Sequence, residues 1–326
     1  MKHISPYMPS IQFGSGYPFL IYSNYWISMN KSIPAINIAT AMDWVDYELI
    51  DSGDGLKIER FGKFVFSRPE AQAVWSPLKP ATIWSKADAV FQTTAEENGG
   101  HWNLNRQIPD SWVMQYKNIS FKARAGASRH LGVFPEQAVH WDWMSGVISA
   151  VRQPVKVLNL FGYTGLASLA AAKAGAQVTH VDASKKAISW ARENQALSGL
   201  ADAPIRWIVD DALKFVEREM RRGNLYDGII MDPPKFGRGP KGEVWEFFRL
   251  LPQMLSACKD ALVPKPLFFI VTAYAVKSSA LTLHGALNAL MSEKGGSLEV
   301  GELVTVEKSG GRLISNAIYA RWSADH

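Results

Sequence analysis

Four short stretches place groups capable of chemistry at the ends of apolar runs. In LNLFGYTGLASL (Leu158 to Leu169) a β-like run meets two glycines and then an alanine-rich segment. Gly162 and Gly165 would let the backbone approach a ligand closely, and the helix amino terminus behind them favours an anionic group such as a carboxylate. Asp182 closes the run QVTHVD, 17 residues after Gly165, where a carboxylate can accept hydrogen bonds from both hydroxyls of a ribose. Asp210 and Asp211 close IRWIVDD and could meet an adenine amino group. The fourth stretch, MDPPKFGRG (Met231 to Gly239), ends YDGIIMD with Asp232, Pro233 and Pro234. A carboxylate and a proline carbonyl there present acceptors to an amino group on a flat ring, and the prolines fix the turn because their φ is restricted and they donate no amide hydrogen. Phe236 can stack on such a ring, a contact worth about 1–3 kcal/mol for a nucleobase. Lys235, Arg238 and Lys241 share the loop, either beside the phosphates of an extruded base or simply in solvent.

These groups need elements to bring them together. After about residue 130, short β-branched runs alternate with helix-length amphipathic segments, the pattern of parallel strands with crossover helices. The expected strands are Val155 to Leu160, Gln177 to Asp182, Ile205 to Asp211, Tyr226 to Asp232 and Pro266 to Ala273, with two more in an antiparallel pair around Ser309 to Gly311. This is an α/β fold: a doubly wound, seven-stranded, mostly parallel sheet. Ligands bind such a sheet beyond the carboxyl ends of its strands, near the point where strand order reverses, and the four stretches all lie at strand ends. A dinucleotide turn needs G-x-G-x-x-G, whereas the text here is G-x-x-G.

Upstream, Tyr47 to Glu70 and Trp112 to Gly126 alternate in short runs broken by SGDG and by Gly62, the pattern of hairpins. His101 to Trp112 reads as loop. The expected organisation is an N-terminal extension over 1–45 with no assigned role, a small β-rich substrate-recognition domain over 46–128, and the doubly wound domain over 129–326.

With 326 residues, 47% of them apolar, the chain can fill a substantial core. One cysteine rules out an internal disulfide and a cysteine-rich zinc site, and the seven histidines show no metal-ligand spacing, so no metal is expected. No run approaches the roughly 20 apolar residues of a membrane span, and the first 30 residues have neither a basic start nor a continuous apolar segment. A soluble, cytoplasmic protein is expected. A net charge of +5 is a mild bias toward polyanions.

At this point the sequence resembles the class I S-adenosylmethionine-dependent methyltransferases, and within them the bacterial group that includes the 23S ribosomal RNA cytosine and guanine methyltransferases. The resemblance runs from roughly Phe121 to Trp322 and is most specific in HLGVFPEQ (His130 to Gln137), NLFGYTGLASL and DPPKF. It implies S-adenosylmethionine as cofactor. By it, Phe134, Pro135 and Gln137 would line the cofactor pocket, Asn159, Phe161, Gly162 and Gly165 would surround the methionine part, Asp182 would hold the ribose, and Asp211 with Ala212 the adenine. Asp210 fits less well, because the usual text has a small residue before a single acid. Asp232, Pro233 and Phe236 would form the catalytic motif, akin to the DPPY and NPPY signatures of amino-group methyltransferases.

One departure from the group bears on mechanism. Its cytosine enzymes carry a thiol after the fourth or sixth strand; here Lys235 and Ala273 stand there. The only cysteine, Cys258, shares a helical stripe with Leu251, Met254, Leu255 and Leu262 and reads as core. Direct attack by a base nitrogen needs no covalent catalyst, only in-line positioning. The expected activity is methyl transfer to a base nitrogen of ribosomal RNA, a purine and guanine first. A protein side-chain or small-molecule N-methyltransferase, and an RNA-binding protein that keeps the cofactor pocket without turnover, stay open as alternatives. Oligomeric state is not read from these residues.

Overall fold

Unbroken runs of Val, Ile, Leu and Phe have to be covered on both faces, and they form the centre of one large sheet. The computed structural model describes residues 33–94, 99–126 and 128–325. The chain divides into two units, Met1–Pro34 and Ala35–His326. The first 32 residues of the expected extension therefore lie outside the described residues.

The second unit opens with strand β1 (Ile36–Thr40), in a stretch whose sequence shows no periodicity. Strands β2 (Tyr47–Gly53), β3 (Leu56–Phe61), β4 (Phe64–Pro69), β5 (Ala89–Thr93) and β6 (Gly100–Leu104) form a five-stranded sheet in that order. β6 corrects the reading of His101 to Trp112 as loop: its first residues pair antiparallel with β5, Trp102 opposite Phe91. Strands β7 (Trp112–Tyr116) and β8 (Ile119–Ala123) make the expected hairpin. Tyr47, Phe61, Phe66, Trp112 and Phe121 fill one side of this region and belong to the same hydrophobic core as Val157, Val178 and Phe268 of the large sheet.

The large sheet contains β9 (Lys156–Leu160), β10 (Gln177–Asp182), β11 (Ile205–Val209), β12 (Gly228–Met231), β15 (Phe268–Tyr274), β16 (Ser297–Val306) and β17 (Leu313–Ser323), while β13 (Phe236–Arg238) and β14 (Val244–Glu246) pair separately as a hairpin. The order across the sheet is β1-β16-β17-β15-β12-β9-β10-β11. The seven strands read from the sequence are thus joined by an eighth, β1, which runs parallel to β16. Strands β9, β10, β11, β12 and β15 are mutually parallel, and β17 is antiparallel to both neighbours. The chain moves outward from β9 to β11 and then returns to β12 on the other side of β9, so strand order reverses at the end of β9.

Helices Ala138–Ala150 and Leu166–Lys173 cover one face, and Ala212–Arg221, Phe247–Asp260 and Ala280–Met291 cover the other. Polar caps start Ala212–Arg221 and Ala280–Met291, through Asp211 and Ser279, while the other three begin without a side-chain cap. Ser184 accepts from the Ala187 amide before the helix Lys185–Leu197, and Asp211 accepts from the Lys214 amide before Ala212–Arg221. No helix among the described residues is long and apolar enough to cross a membrane.

Candidate active site

The carboxyl ends of the five parallel strands open onto a cleft of about 770 Å³, within the roughly 300–1,000 Å³ typical of small-molecule sites. Its walls include Phe134, Pro135, Phe161, Asp182, Asp211 and Ala212, and at the other end Asp232, Pro233, Lys235, Phe236 and Arg238. Gln137, Asn159, Gly162, Gly165 and Lys241 are not among the lining residues.

The turn after β9 is strained. Phe161 and Tyr163 adopt φ of 57° and 51°, and Gly165 follows at 84°. Left-handed backbone in a non-glycine residue costs on the order of 1–3 kcal/mol and tends to collect at binding sites. Ala275, at φ 53° after β15, is a third such residue, and Phe161, Tyr163 and Ala275 all line the cleft. The glycines also meet a packing need. A Cβ on Gly162 would stand 2.3 Å from the His180 ring, and one on Gly165 2.9 Å from Ala191 and 3.0 Å from Trp207. Protein fills those spaces. Beneath the turn, Asn159 Nδ2 donates to Ser168 Oγ at 2.9 Å, and Ser168 Oγ lies 2.9 Å from His180 Nδ1, a buried polar chain. Asn159 therefore supports the turn from within the core. Gly162→Ala should destabilise the fold by about 1–3 kcal/mol, the usual cost of overpacking. A thermal melt of the variant equal to the parent's would contradict this.

Asp182 closes β10 with both oxygens anchored: Oδ2 accepts from the Tyr163 amide and Oδ1 from the Ser184 amide, each at 2.8 Å. A carboxylate oxygen has more than one acceptor site, so each keeps capacity for a ribose hydroxyl. Burial pushes this carboxyl above its usual range, against the pull of the two amides. Of the two acids after β11, Asp210 is taken up by an ion pair with Arg218 and by the Asp211 amide. Asp211 caps the following helix through Oδ1.

At the other end, Asp232 Oδ2 accepts from Gln137 Nε2 at 3.1 Å, while Oδ1 is buried without a hydrogen-bond partner among the described residues. Burial, and then the neighbouring Glu136, push the Asp232 carboxyl well above its usual range, and the Gln137 hydrogen bond opposes them. Gln137 thus orients Asp232, and its neighbour Glu136 stands in the cleft wall instead. Pro234 O accepts from Trp245 Nε1 at 2.6 Å, which fastens the motif to the β13–β14 hairpin. The Phe236 ring on that hairpin is 60% exposed, so it is free to stack. Lys241 stands outside the cleft, its amide held by Glu243. Cys258 is fully buried in the helix Phe247–Asp260, where burial raises its thiol pKa.

Several lining residues escaped the sequence reading. Glu136 lies in HLGVFPEQ between Pro135 and Gln137 but carries no role in the sequence reading, and Tyr274 ends β15 directly after Ala273. Lys57, Glu59 and Arg68 come from the five-stranded sheet and form a buried ionic cluster. Arg68 grips Glu59 through two hydrogen bonds of 2.7 and 2.8 Å. Burial opposes ionisation of Glu59, but the charges of Arg68 and Lys57 prevail and hold it at about 2.

A cleft at the reversal point of a doubly wound sheet, with acids closing successive strands, belongs to the Rossmann-like enzymes that bind nucleoside cofactors at this rim. Residues 79–275 match the model of a protein family described as S-adenosylmethionine-dependent methyltransferase. A crystal structure of a SAM-dependent methyltransferase from Agrobacterium tumefaciens is 48% identical, covers 90% of this chain and 96% of its own, and superposes with a TM-score of 0.85. Ribosomal RNA large subunit methyltransferase I of Aeromonas salmonicida is 34% identical over 232 residues, which are 71% of this chain and 52% of that protein. Ribosomal RNA large subunit methyltransferase K/L of Shewanella frigidimarina is 40% identical over 110 residues, 33% of this chain and 15% of that protein. The chain spans about half the length, or less, of these two curated relatives. It belongs to the S-adenosylmethionine-dependent methyltransferase family, and its cofactor is S-adenosylmethionine. The anchored carboxylate of Asp182 and the strained turn beside it suit such a nucleoside.

Proposed function

We propose that this protein transfers a methyl group to a base nitrogen of RNA, ribosomal RNA and guanine first, without a cysteine nucleophile. The observation that carries the reading is the Oδ1 atom of Asp232: a buried acceptor with no partner among the described residues, in the wall of the cleft that also holds Asp182. Bound S-adenosylmethionine supplies an electrophilic methyl on its sulfonium. In this reading Phe134, Pro135, Phe161 and the turn through Gly162 and Gly165 surround the methionine part, with Gln137 and Asn159 holding that wall from behind. Asp182 takes the ribose and Asp211 with Ala212 the adenine. Asp232 Oδ1 accepts the acceptor's N–H and is the atom placed to take the proton that the nitrogen sheds. Pro233 shapes the turn, Phe236 stacks on the base, and Lys235 and Arg238 meet phosphates.

RNA as partner is supported by the names of the curated relatives, by the net positive charge and by the cations of the loop. Residues 46–128 act as the substrate-recognition part, since they bring Lys57, Glu59 and Arg68 to the cleft, and residues 129–326 as the cofactor-binding part. The work takes place in the cytoplasm. Mass spectrometry of ribosomal RNA nucleosides from a deletion strain should show one methylated nucleoside missing, restored by the purified protein; an unchanged profile removes RNA as substrate. Labelling of extracts with and without ribonuclease then separates a protein or small-molecule acceptor. Cys258→Ala should keep the parent's transfer rate, and a variant with no turnover would bring the thiol back into the mechanism.

A further inference from the structure

Two polar atoms in the cleft wall lack a partner among the described residues, and a buried carboxyl stands beside them. Asp232 Oδ1 and the Tyr274 hydroxyl are buried without a hydrogen-bond partner among the described residues. Glu136, only 5% exposed, lies in the same wall. The Tyr274 hydroxyl sits near both Glu136 and Gln137. The backbone that carries these groups is fixed. Glu136 belongs to the 3-10 turn Pro135–Gln137, whose first carbonyl accepts from Trp44 Nε1 at 2.9 Å, and Tyr274 packs on Phe134 with ring centroids 5.0 Å apart.

A buried carboxyl or hydroxyl without a partner is costly. Two such groups beside the buried carboxyl of Glu136, in one cleft wall and on rigid supports, make a binding edge. We infer that Glu136 and Tyr274 complete the acceptor pocket around Asp232, the two carboxyl groups accepting N–H groups from the edge of the ring and the Tyr274 hydroxyl donating to its carbonyl. The inference rests on the reading above that a base receives the methyl. An edge with two adjacent N–H groups beside a carbonyl, as guanine has, uses all three groups. An edge with a single N–H would leave one buried carboxyl unpaired.

The charged and titratable groups around Glu136 are Lys57 and Arg68 from the five-stranded sheet, Tyr47 from β2, Tyr274 from β15 and Asp232 after β12, with His130 in the same wall. Burial raises both carboxyls, and Glu136 raises Asp232 further. Removing the charge of Glu136 therefore lets Asp232 ionise at lower pH.

The test compares the full chain, Glu136→Gln and Tyr274→Phe in labelled methyl transfer to RNA from a deletion strain, with calorimetry of S-adenosylhomocysteine alongside. Glu136→Gln should lower kcat/KM for RNA by about 100-fold and Tyr274→Phe by about 10-fold, in line with lost hydrogen bonds to charged and neutral groups. Affinity for S-adenosylhomocysteine should stay within about twofold, because the lost contacts lie on the acceptor side. The acid limb of the rate should move to lower pH in Glu136→Gln. Parent-like kcat/KM and pH limb in that variant, a loss matched by equal loss of S-adenosylhomocysteine affinity, or label in a ring without two adjacent N–H groups would each overturn the inference alone. Should the variants fail to fold, RNA with inosine in place of guanosine tests the parent chain: a rate about 10-fold lower is expected where the ring nitrogen accepts the methyl, and no transfer where the 2-amino group does; an equal rate overturns it. No label in any RNA would sink the RNA reading, and this inference with it.

Discussion

Replacing Asp232 by asparagine lowers methyl transfer by about 100-fold or more while leaving cofactor affinity within about twofold, since hydrogen bonds to a charged group contribute roughly 1.5–3 kcal/mol and each 1.4 kcal/mol is a factor of ten. The substitution keeps the size of the side chain, so the cleft stays intact. It removes the charge and turns one acceptor into a donor. Gln137 Nε2 already donates to one side of the group. An asparagine that keeps its oxygen toward Gln137 must turn its NH2 toward the cleft, where it would meet the N–H of the acceptor. Flipping the amide only moves the conflict to Gln137. The pH dependence follows from the same surroundings. Burial and Glu136 raise the Asp232 pKa, so the active carboxylate is complete only above that raised value and is lost as pH falls through it. The parent's single-turnover rate should rise with pH along a limb above the ordinary carboxylate range, and the asparagine variant should lack that limb. A variant with the parent's rate at all pH values would remove Asp232 from the chemistry.

Asp182→Ala should weaken S-adenosylmethionine binding by about 100-fold or more, the consequence of deleting a charged acceptor for ribose hydroxyls. It should also cost stability without any ligand. The amides of Tyr163 and Ser184 both end on this carboxylate, and Tyr163 sits in left-handed backbone that the contact helps to hold. The Ser184 amide is exposed and can turn to water, but leaving the half-buried Tyr163 amide without its acceptor costs about 1 kcal/mol, which for a chain of this size lowers Tm by roughly 2–4 °C. Calorimetry and a thermal melt on the same sample check both effects. A variant with the parent's cofactor affinity would take Asp182 out of the binding site, whatever its melting temperature.

The parts of this architecture that were legible in the sequence are those where one signal sufficed. QVTHVD is a strand in the structure with its bounds unchanged, because a short β-branched run between a glycine-ended helix and a serine cap leaves little choice. Acids at strand ends were legible for the same reason: parallel strands bring their carboxyl ends to one rim whatever the sequence between them. Strand β1 was hidden because it is an edge strand with half its residues in solvent, so no alternation marks it. The packing role of the glycines of the first turn was not legible, because a Cβ there would meet His180, Ala191 and Trp207, long-range neighbours that local spacing cannot report. Glu136, between the two flagged residues Pro135 and Gln137, and Tyr274, beside Ala273, lie far apart in the chain, and only the closing of β15 beside the turn before β9 makes them companions.

Strand β1 has a practical consequence. Its partner β16 carries Gly301, where the Asn37 carbonyl lies 2.1 Å from the place a Cβ would take, so the ten-residue strand is shaped to be covered along one side. A fragment trimmed to begin at residue 46, the boundary that composition suggests, would bare that side as a row of unsatisfied donors and acceptors, the template on which separate molecules zip into fibrils or amorphous precipitate. Shortened versions intended for crystallisation or spectroscopy should therefore start upstream of Ile36.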